Sequence, residues 1–170
     1  VDELERQHVN SSELLVAVGL DPAILEDAST RIPLATYDAF QLLALEATGD
    51  DAFGLHLGEN ASLASFSTLG AMVAQCRTIG EAIELGLQYY RLVADVSAAP
   101  ALIVRGDDVW FQYEYLRSSN PALDRLRAEF GLTRILAIAR LLLGADTMPT
   151  ESWFEHDAPS YEFEYRRVFG

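Results

Sequence analysis

The chain contains no lysine; all 12 of its basic residues are arginine. That absence removes several chemistries at once. A phosphate-binding loop needs its Gly-Lys-Ser/Thr end, a pyridoxal enzyme needs a Schiff-base lysine, and a Ser-x-x-Lys acyl enzyme needs the lysine itself. Cysteine is nearly as scarce. Cys76 stands alone, which rules out an internal disulfide and any multi-cysteine metal centre. Among Val73, Ala74 and Ile79 it reads as an inert, buried thiol. No run approaches the roughly 18 to 20 apolar residues that span a bilayer, and no basic-then-apolar leader is present. Positive charge is short as well: 26 acidic residues leave a net charge of −14. Such a chain repels phosphate backbones, so direct nucleic-acid binding by this stretch is disfavoured. These features read as a soluble, cytoplasmic, acidic domain with no membrane partner.

What is present is a chain of 170 residues, half of them apolar. This fits one domain, and folding should bury roughly 70% of the extended chain's surface. The N-terminal part, about 1–95, reads as helices punctuated by glycine and proline. Ser11 or Ser12 caps a short helix through Leu14, Leu15 and Val18 that stops at Gly19. Asp21-Pro22 starts a further turn. An apolar pattern from Leu34 through Tyr37, Leu42 and Leu45 runs to Gly49, and Asp50 or Asp51 opens a brief segment from Ala52 to Gly58.

The stretch from Leu69 to Asp95 combines a small-residue helix, a cap and an amphipathic helix. Gly70, Ala71 and Ala74 permit close approach to a neighbour. Thr78-Ile79-Gly80-Glu81 has capping-box spacing. Ile79, Ile83, Gly86, Leu87, Tyr90 and Val93 then share one helix face, opposite Glu81, Glu84, Gln88 and Arg91. That phase points Tyr90 inward and Arg91 to the surface.

The remaining part, about 96–170, changes texture. Two β-prone runs, 101–105 and 109–116, flank Gly106-Asp107-Asp108 as a hairpin. In the second run Val109, Phe111, Tyr113 and Tyr115 alternate with polar residues and Trp110. Asn120-Pro121 opens a long helix to about residue 143, apolar nearly all round from Leu132 onward, which predicts that this second half is central. A third strand is expected over about 151–156, and an amphipathic helix over 161–168. The expected fold class is α+β: mainly helical, with a small antiparallel sheet and a long central helix.

Catalytic signatures are missing. The three histidines, His8, His56 and His156, occupy different elements with no HExxH, so a metal site assembled from His56, His156 and a carboxylate is disfavoured. No Gly-x-Ser-x-Gly elbow occurs. Neither metal nor cofactor is expected. Arg134 is the charge that stands out, on a helical stripe with Leu123, Phe130, Ile138 and Leu141. It must either pair with an acid, snorkel to solvent, or anchor a ligand carboxylate. Tyr90 and the Phe111/Tyr113/Tyr115 face pose a similar choice between core and an apolar pocket with polar tips. Read as a pocket, the lining is Phe66, Met72, Tyr90, Phe111, Tyr113 and Arg134.

The order of these elements resembles the N-terminal effector-binding and dimerisation domain of AraC/XylS-type transcriptional regulators, in the helical subgroup labelled "arabinose-binding", which differs from the cupin jelly roll. The resemblance is carried by Gly19-Leu20-Asp21-Pro22, Arg31-Ile32-Pro33-Leu34 and the run from Gly49 to Gly58. It continues through Leu69-Gly70, Thr78-Ile79-Gly80-Glu81-Ala82, Tyr89-Tyr90-Arg91-Leu92, and the end from Phe154 to Gly170. It implies a bacterial sensor domain that binds a small organic effector, forms a homodimer and is not an enzyme. It also implies that two helix-turn-helix units follow. They are absent from this chain, so DNA is expected to be bound only through that missing C-terminal domain. An apolar pocket tipped by Tyr and Arg favours an organic acid over a sugar. A ligand-free dimerisation module, and a small hydrolase or isomerase using acidic residues, are the other readings left open by the residues.

Overall fold

The computed structural model of the chain describes residues 1–27, 30–63, 67–89, 100–115 and 117–170. The fold is α+β and mainly helical, with one small antiparallel sheet. Two short helices, α1 (Asp2–Arg6) and α2 (Ser11–Ala17), come first. The cap of α2 is Asn10, whose side chain accepts from the Ser12 and Glu13 amides. The expected serine caps instead lie inside the helix, because an Asx side chain one residue earlier answers the same orphan donors. A 3-10 turn, Pro22–Glu26, follows with Asp21 accepting from the Ala23 amide at 2.9 Å. Helix α3 (Leu34–Thr48) stops at Gly49, which takes a left-handed φ of 61°. Asp50 then accepts from the Ala52 amide at 3.0 Å and turns the chain into α4 (Phe53–Glu59).

Helices α5 (Ser67–Val73) and α6 (Ile79–Gln88) pair around Leu69, Val73 and Ala82, with Cys76, Leu85 and Tyr89 packed against them. Thr78 caps α6 by accepting from the Glu81 amide at 3.2 Å, and Glu81 reaches back to the Arg77 amide at 2.8 Å. Glu81, Glu84 and Gln88 are exposed, as the helical phase predicts. The docked face, however, runs through Ala82, Leu85 and Tyr89, one residue out of step with the face predicted from Ile83, Leu87 and Tyr90. A buried Ala82 lets α6 roll closer to α5 than a larger side chain would. Residues 90–99, including Tyr90 and Arg91, lie outside the described residues, as do Phe66 and Leu116.

Strands β1 (Ala101–Arg105) and β2 (Asp108–Gln112) form the hairpin, in register from Ala101↔Gln112 to Arg105↔Asp108. Gly106 begins its two-residue turn with a φ of 64°, the left-handed region that hairpin turns require. The ladder ends at Gln112, so Tyr113 and Tyr115 lie beyond it. The third strand expected over 151–156 does not form; among the described residues the sheet has two strands. That segment instead touches its neighbours through side chains. Trp153 sets its edge against Trp110 at 5.4 Å between ring centroids, and Phe154 packs on Tyr165 and Phe169. Rings that reach sideways this way give contact without a backbone ladder.

The long helix α7 (Pro121–Leu143) is capped by Asn120, as the sequence predicts. Its buried part runs from Leu123 to Leu136 and so covers only the start of the stretch expected to be central. Leu123, Leu126, Arg127, Ala128, Glu129, Gly131, Thr133 and Leu136 are buried, whereas Leu141 is 60% exposed. The cause is α4, which crosses α7 at its middle through two glycines. A methyl group at Gly54 would come within 2.6 Å of Glu129 Oε2 and 2.7 Å of the Leu126 carbonyl oxygen. One at Gly58 would meet Thr133 Cβ at 2.6 Å. This approach seals the polar-looking half and leaves the apolar end at the margin. The closing helix α8 (Glu162–Phe169) buries Val168 and Phe169 with Ala52, Leu55, Leu136 and Tyr161. A second cluster joins Leu4, Ala44, Phe53 and Leu126. No helix among the described residues is long and apolar enough to cross a membrane.

Candidate functional site

Sealing the middle of α7 forces its polar side chains to find partners inside the protein, since an unpaired buried charge is costly. Arg127 is paired with Asp38 and donates to Gln41 at 3.3 Å, tying α7 to α3. Glu129 is 1% exposed and accepts from two tyrosine hydroxyls of the C-terminal segment, Tyr161 at 2.6 Å and Tyr165 at 2.5 Å. Burial pushes its carboxyl above the usual carboxylate range, against the opposing pull of the two hydroxyls, Arg125 and His156. Both tyrosines are pushed upward in turn, by burial and by donating to Glu129.

Tyr165 extends this chain to His156, whose Nε2 lies 3.3 Å from the hydroxyl while Nδ1 faces the Asp157 carbonyl at 3.0 Å. With the Tyr165 proton aimed at Glu129, the phenol oxygen keeps its lone pairs toward His156 Nε2.

His156 also lines a cleft of about 260 Å³ with Tyr115, Arg117, Ser118, Asp124, Arg125 and Glu155 among its walls. Arg117 and Glu155 form an exposed ion pair at its edge, and the Arg117 guanidinium lies over the Tyr115 ring at 5.7 Å. The Asp124 carboxylate accepts from the Ser118 amide at 2.7 Å. Arg125 sits 5.5 Å above the Tyr161 ring, with Nε 4.0 Å from Glu129.

A separate polar chain crosses α4. His56 Nδ1 lies 2.6 Å from Asp50 and Nε2 3.3 Å from Glu164. Burial alone would lower the imidazole pKa, but these two carboxylates outweigh it and raise it. Glu164 is held down; burial opposes this, and the Arg167 and His56 partners prevail. Arg167 bridges Glu164 and Glu59. Among the described residues no group of three His, Cys, Asp or Glu side chains is placed to hold a metal.

The residues expected to line a pocket are partly assembled. Tyr113 leaves the end of β2 and lays its ring on α7 at Gly131, where a methyl group would come within 1.9 Å of Tyr113 Cε1. Arg134 is three residues further along that helix and half-buried, its guanidinium 4.8 Å above the Phe130 ring. Tyr113 and Arg134 therefore share one side of α7. Phe111 is half-buried on β2 opposite Leu102, and Met72 is half-buried on α5, accepting a weak contact from Cys76 Sγ at 3.7 Å. Phe66 and Tyr90 lie outside the described residues. None of the four described ones lines the cleft, nor the open groove of about 560 Å³ between α2 and α3 that runs past Val18, Ala39 and Leu43.

Sequence reasoning missed Glu129, Arg125 and the Tyr161/Tyr165 pair, and weighed His156 only as a disfavoured metal ligand. A signal for them existed. Two tyrosines four residues apart on one helix face, and two glycines four apart on another, announce a close contact with a polar group in it.

A family model described as the arabinose-binding domain of the AraC transcription regulator, N-terminal, matches residues 9–170. The chain is also 25% identical over 171 aligned residues to an ornithine utilization regulator of Pseudomonas aeruginosa; all of this chain is covered but only 50% of that relative. The chain thus spans about half the length of this curated relative. The match falls on the elements described above: the Gly49–Gly58 turn into α4, the capped α6, the long α7 and the closing α8. Its extent leaves no doubt of the grouping: the chain belongs to the family of N-terminal arabinose-binding domains of AraC-type transcription regulators.

Proposed function

We propose that this chain is the sensor part of a bacterial AraC-type transcription factor, binding a small organic effector and mediating homodimerisation. It acts in regulation rather than catalysis, and reaches DNA only through a further domain of the same protein. Its helical part, about 1–95, and its α+β part, about 96–170, work as one ligand-sensing unit. Effector binding shifts the population of arrangements that the domain presents to its partners. The observation that carries this reading is the side of α7 where Tyr113 rests on Gly131 one turn before Arg134. A hydroxyl and a guanidinium beside aromatic surface suit an organic acid better than a neutral sugar.

Thermal-shift screening of organic acids, amino acids and sugars tests this. An effector at a hundredfold excess over its Kd adds about 2.7 kcal/mol, or roughly 5–10 °C for a chain of this size. Arg134→Ala should abolish binding of a carboxylate effector while leaving the fold intact; unchanged affinity removes Arg134 from the site. A second reading, a ligand-free dimerisation module, draws support from the open α2–α3 groove and the exposed Val16 and Leu34 beside it. No stabilisation by any compound, together with a dimer in sedimentation, would favour that reading instead.

A further inference from the structure

We propose that the cleft between the β2–α7 connection and residues 155–156 is a binding site for a small amino acid, its carboxylate held by Arg125 and its ammonium by Asp124 and Glu155. This site is apart from the Tyr113–Arg134 side of α7 and goes beyond the reading given above.

The argument starts from arginine satisfaction. Arg127 reaches Gln41 and Asp38, Arg140 donates to the Thr147 and Val168 carbonyls, and Arg167 grips Glu59 and Glu164. Arg125 differs. Its side chain is only 32% exposed, yet its contacts among the described residues are an aromatic face and a carboxylate at 4.0 Å, with no hydrogen bond. A guanidinium offers five donors in a planar fork, and none of those on Arg125 is both buried and unpartnered, so solvent meets them in the free protein and a ligand can take its place. A carboxylate entering the cleft meets that fork in the bidentate geometry arginine favours.

The rest of the lining sets the ligand class. A carboxylate ligand without a positive group would face Asp124 and Glu155 with like charge. Asp124 spends one oxygen on the Ser118 amide and keeps the other. Among the described residues Glu155 is engaged by Arg117 alone, in an exposed pair that is held weakly and is readily exchanged for an ammonium. Tyr115 and Ser119 add hydroxyls to the wall. At about 260 Å³ the cleft falls just below the range of drug-sized pockets, roughly 300–1,000 Å³, which suits a ligand of amino-acid size. Arg125 gives the site a path inward, since its Nε lies 4.0 Å from Glu129. Occupancy would then be felt where α7 and α8 meet.

The test is a heteronuclear NMR titration of the chain with the standard amino acids and L-ornithine, using acetate and methylammonium as single-charge controls. At least one amino acid should give saturable shifts in the backbone amides of Tyr115, Ser119, Arg125 and His156, with neither control saturating at the same concentration. Arg125→Gln should weaken that binding by at least about tenfold, and Arg125→Lys should only partly restore it. Arg134→Ala should leave it unchanged, which separates this site from the effector site proposed above. Saturation by acetate as readily as by an amino acid, no saturation by any compound at millimolar concentration, or shifts confined to Tyr113 and Arg134, would each overturn the proposal.

Discussion

Helix α7 has two sides that are built differently. Against α4 and α8 it is closed: Gly54 and Gly58 bring backbones together, three elements meet in a common core, and Glu129 is fully enclosed by hydroxyl partners. Toward the hairpin it is lightly covered. Tyr113 rests on Gly131, Trp153 touches Trp110 while 74% exposed, and Val104 and Val109 stand in solvent at the tip. A two-stranded hairpin is marginal alone and depends on what it packs against. The contrast separates a frame, which has no room for even a methyl group, from a lightly covered face.

Substitution at the glycines probes this contrast most strongly. Gly54→Val pushes branched carbon into Glu129 and the Leu126 carbonyl, and should cost about 3 kcal/mol in chemical denaturation. Gly131→Ala meets the Tyr113 ring first, a side chain that can swing away, so a cost near 1 kcal/mol is expected with a changed tyrosine environment in near-UV circular dichroism. Equal costs at the two positions would erase the distinction between frame and face.

Next in size is Glu129→Ala, expected to cost roughly 2 kcal/mol because two tyrosine hydroxyls lose their buried acceptor. Glu129→Gln keeps an acceptor and removes the charge, so its effect depends on pH. The folded pKa of Glu129 is raised, so its contribution to stability is fully present below the unfolded value, 4.5, and is lost as pH rises through the folded value. Glu129→Gln should therefore gain on the wild type as pH increases from acid to neutral. A parallel pH profile would show that burial does not govern this carboxyl.

The smallest effect is expected at His56, on the outer surface of the frame. Its folded pKa is raised, so its ion pairs with Asp50 and Glu164 stabilise fully below 6.5 and fade as pH rises through the folded value. His56→Gln should cost under about 1 kcal/mol in mild acid and almost nothing in mild alkali, given the group's solvent exposure. A cost that grows with pH would reverse the assignment.

Local chemistry made much of the fold legible. Asn120-Pro121, Thr78 to Glu81, Gly49 and Gly106 each fix a boundary through groups within four residues, and each boundary stands where the residues place it. Reading failed where the outcome depended on distant partners. The apolar end of α7 read as central, but burial followed the glycines of α4, which lie far away in sequence. The 151–156 segment, with Trp153 and Phe154 at its centre, reads as a short strand, yet its rings found aromatic neighbours rather than a ladder. Of the candidate site, Tyr113 and Arg134 could be named singly, one on an aromatic run and one on a helical stripe, but their meeting on one side of α7 depends on packing. Glu129 and, with it, Arg125 were hidden because a buried acid looks like a surface acid until its hydroxyl partners, more than thirty residues away, are found.

Amide hydrogen exchange of the free chain tests the division between frame and face most directly. Amides of α4 and of residues 123–136 should exchange on the order of a hundredfold more slowly than those of β1, β2 and residues 113–115, because the former open only with the whole molecule. Comparable protection on both sides of α7, or faster exchange in α4 than in the hairpin, would contradict the account.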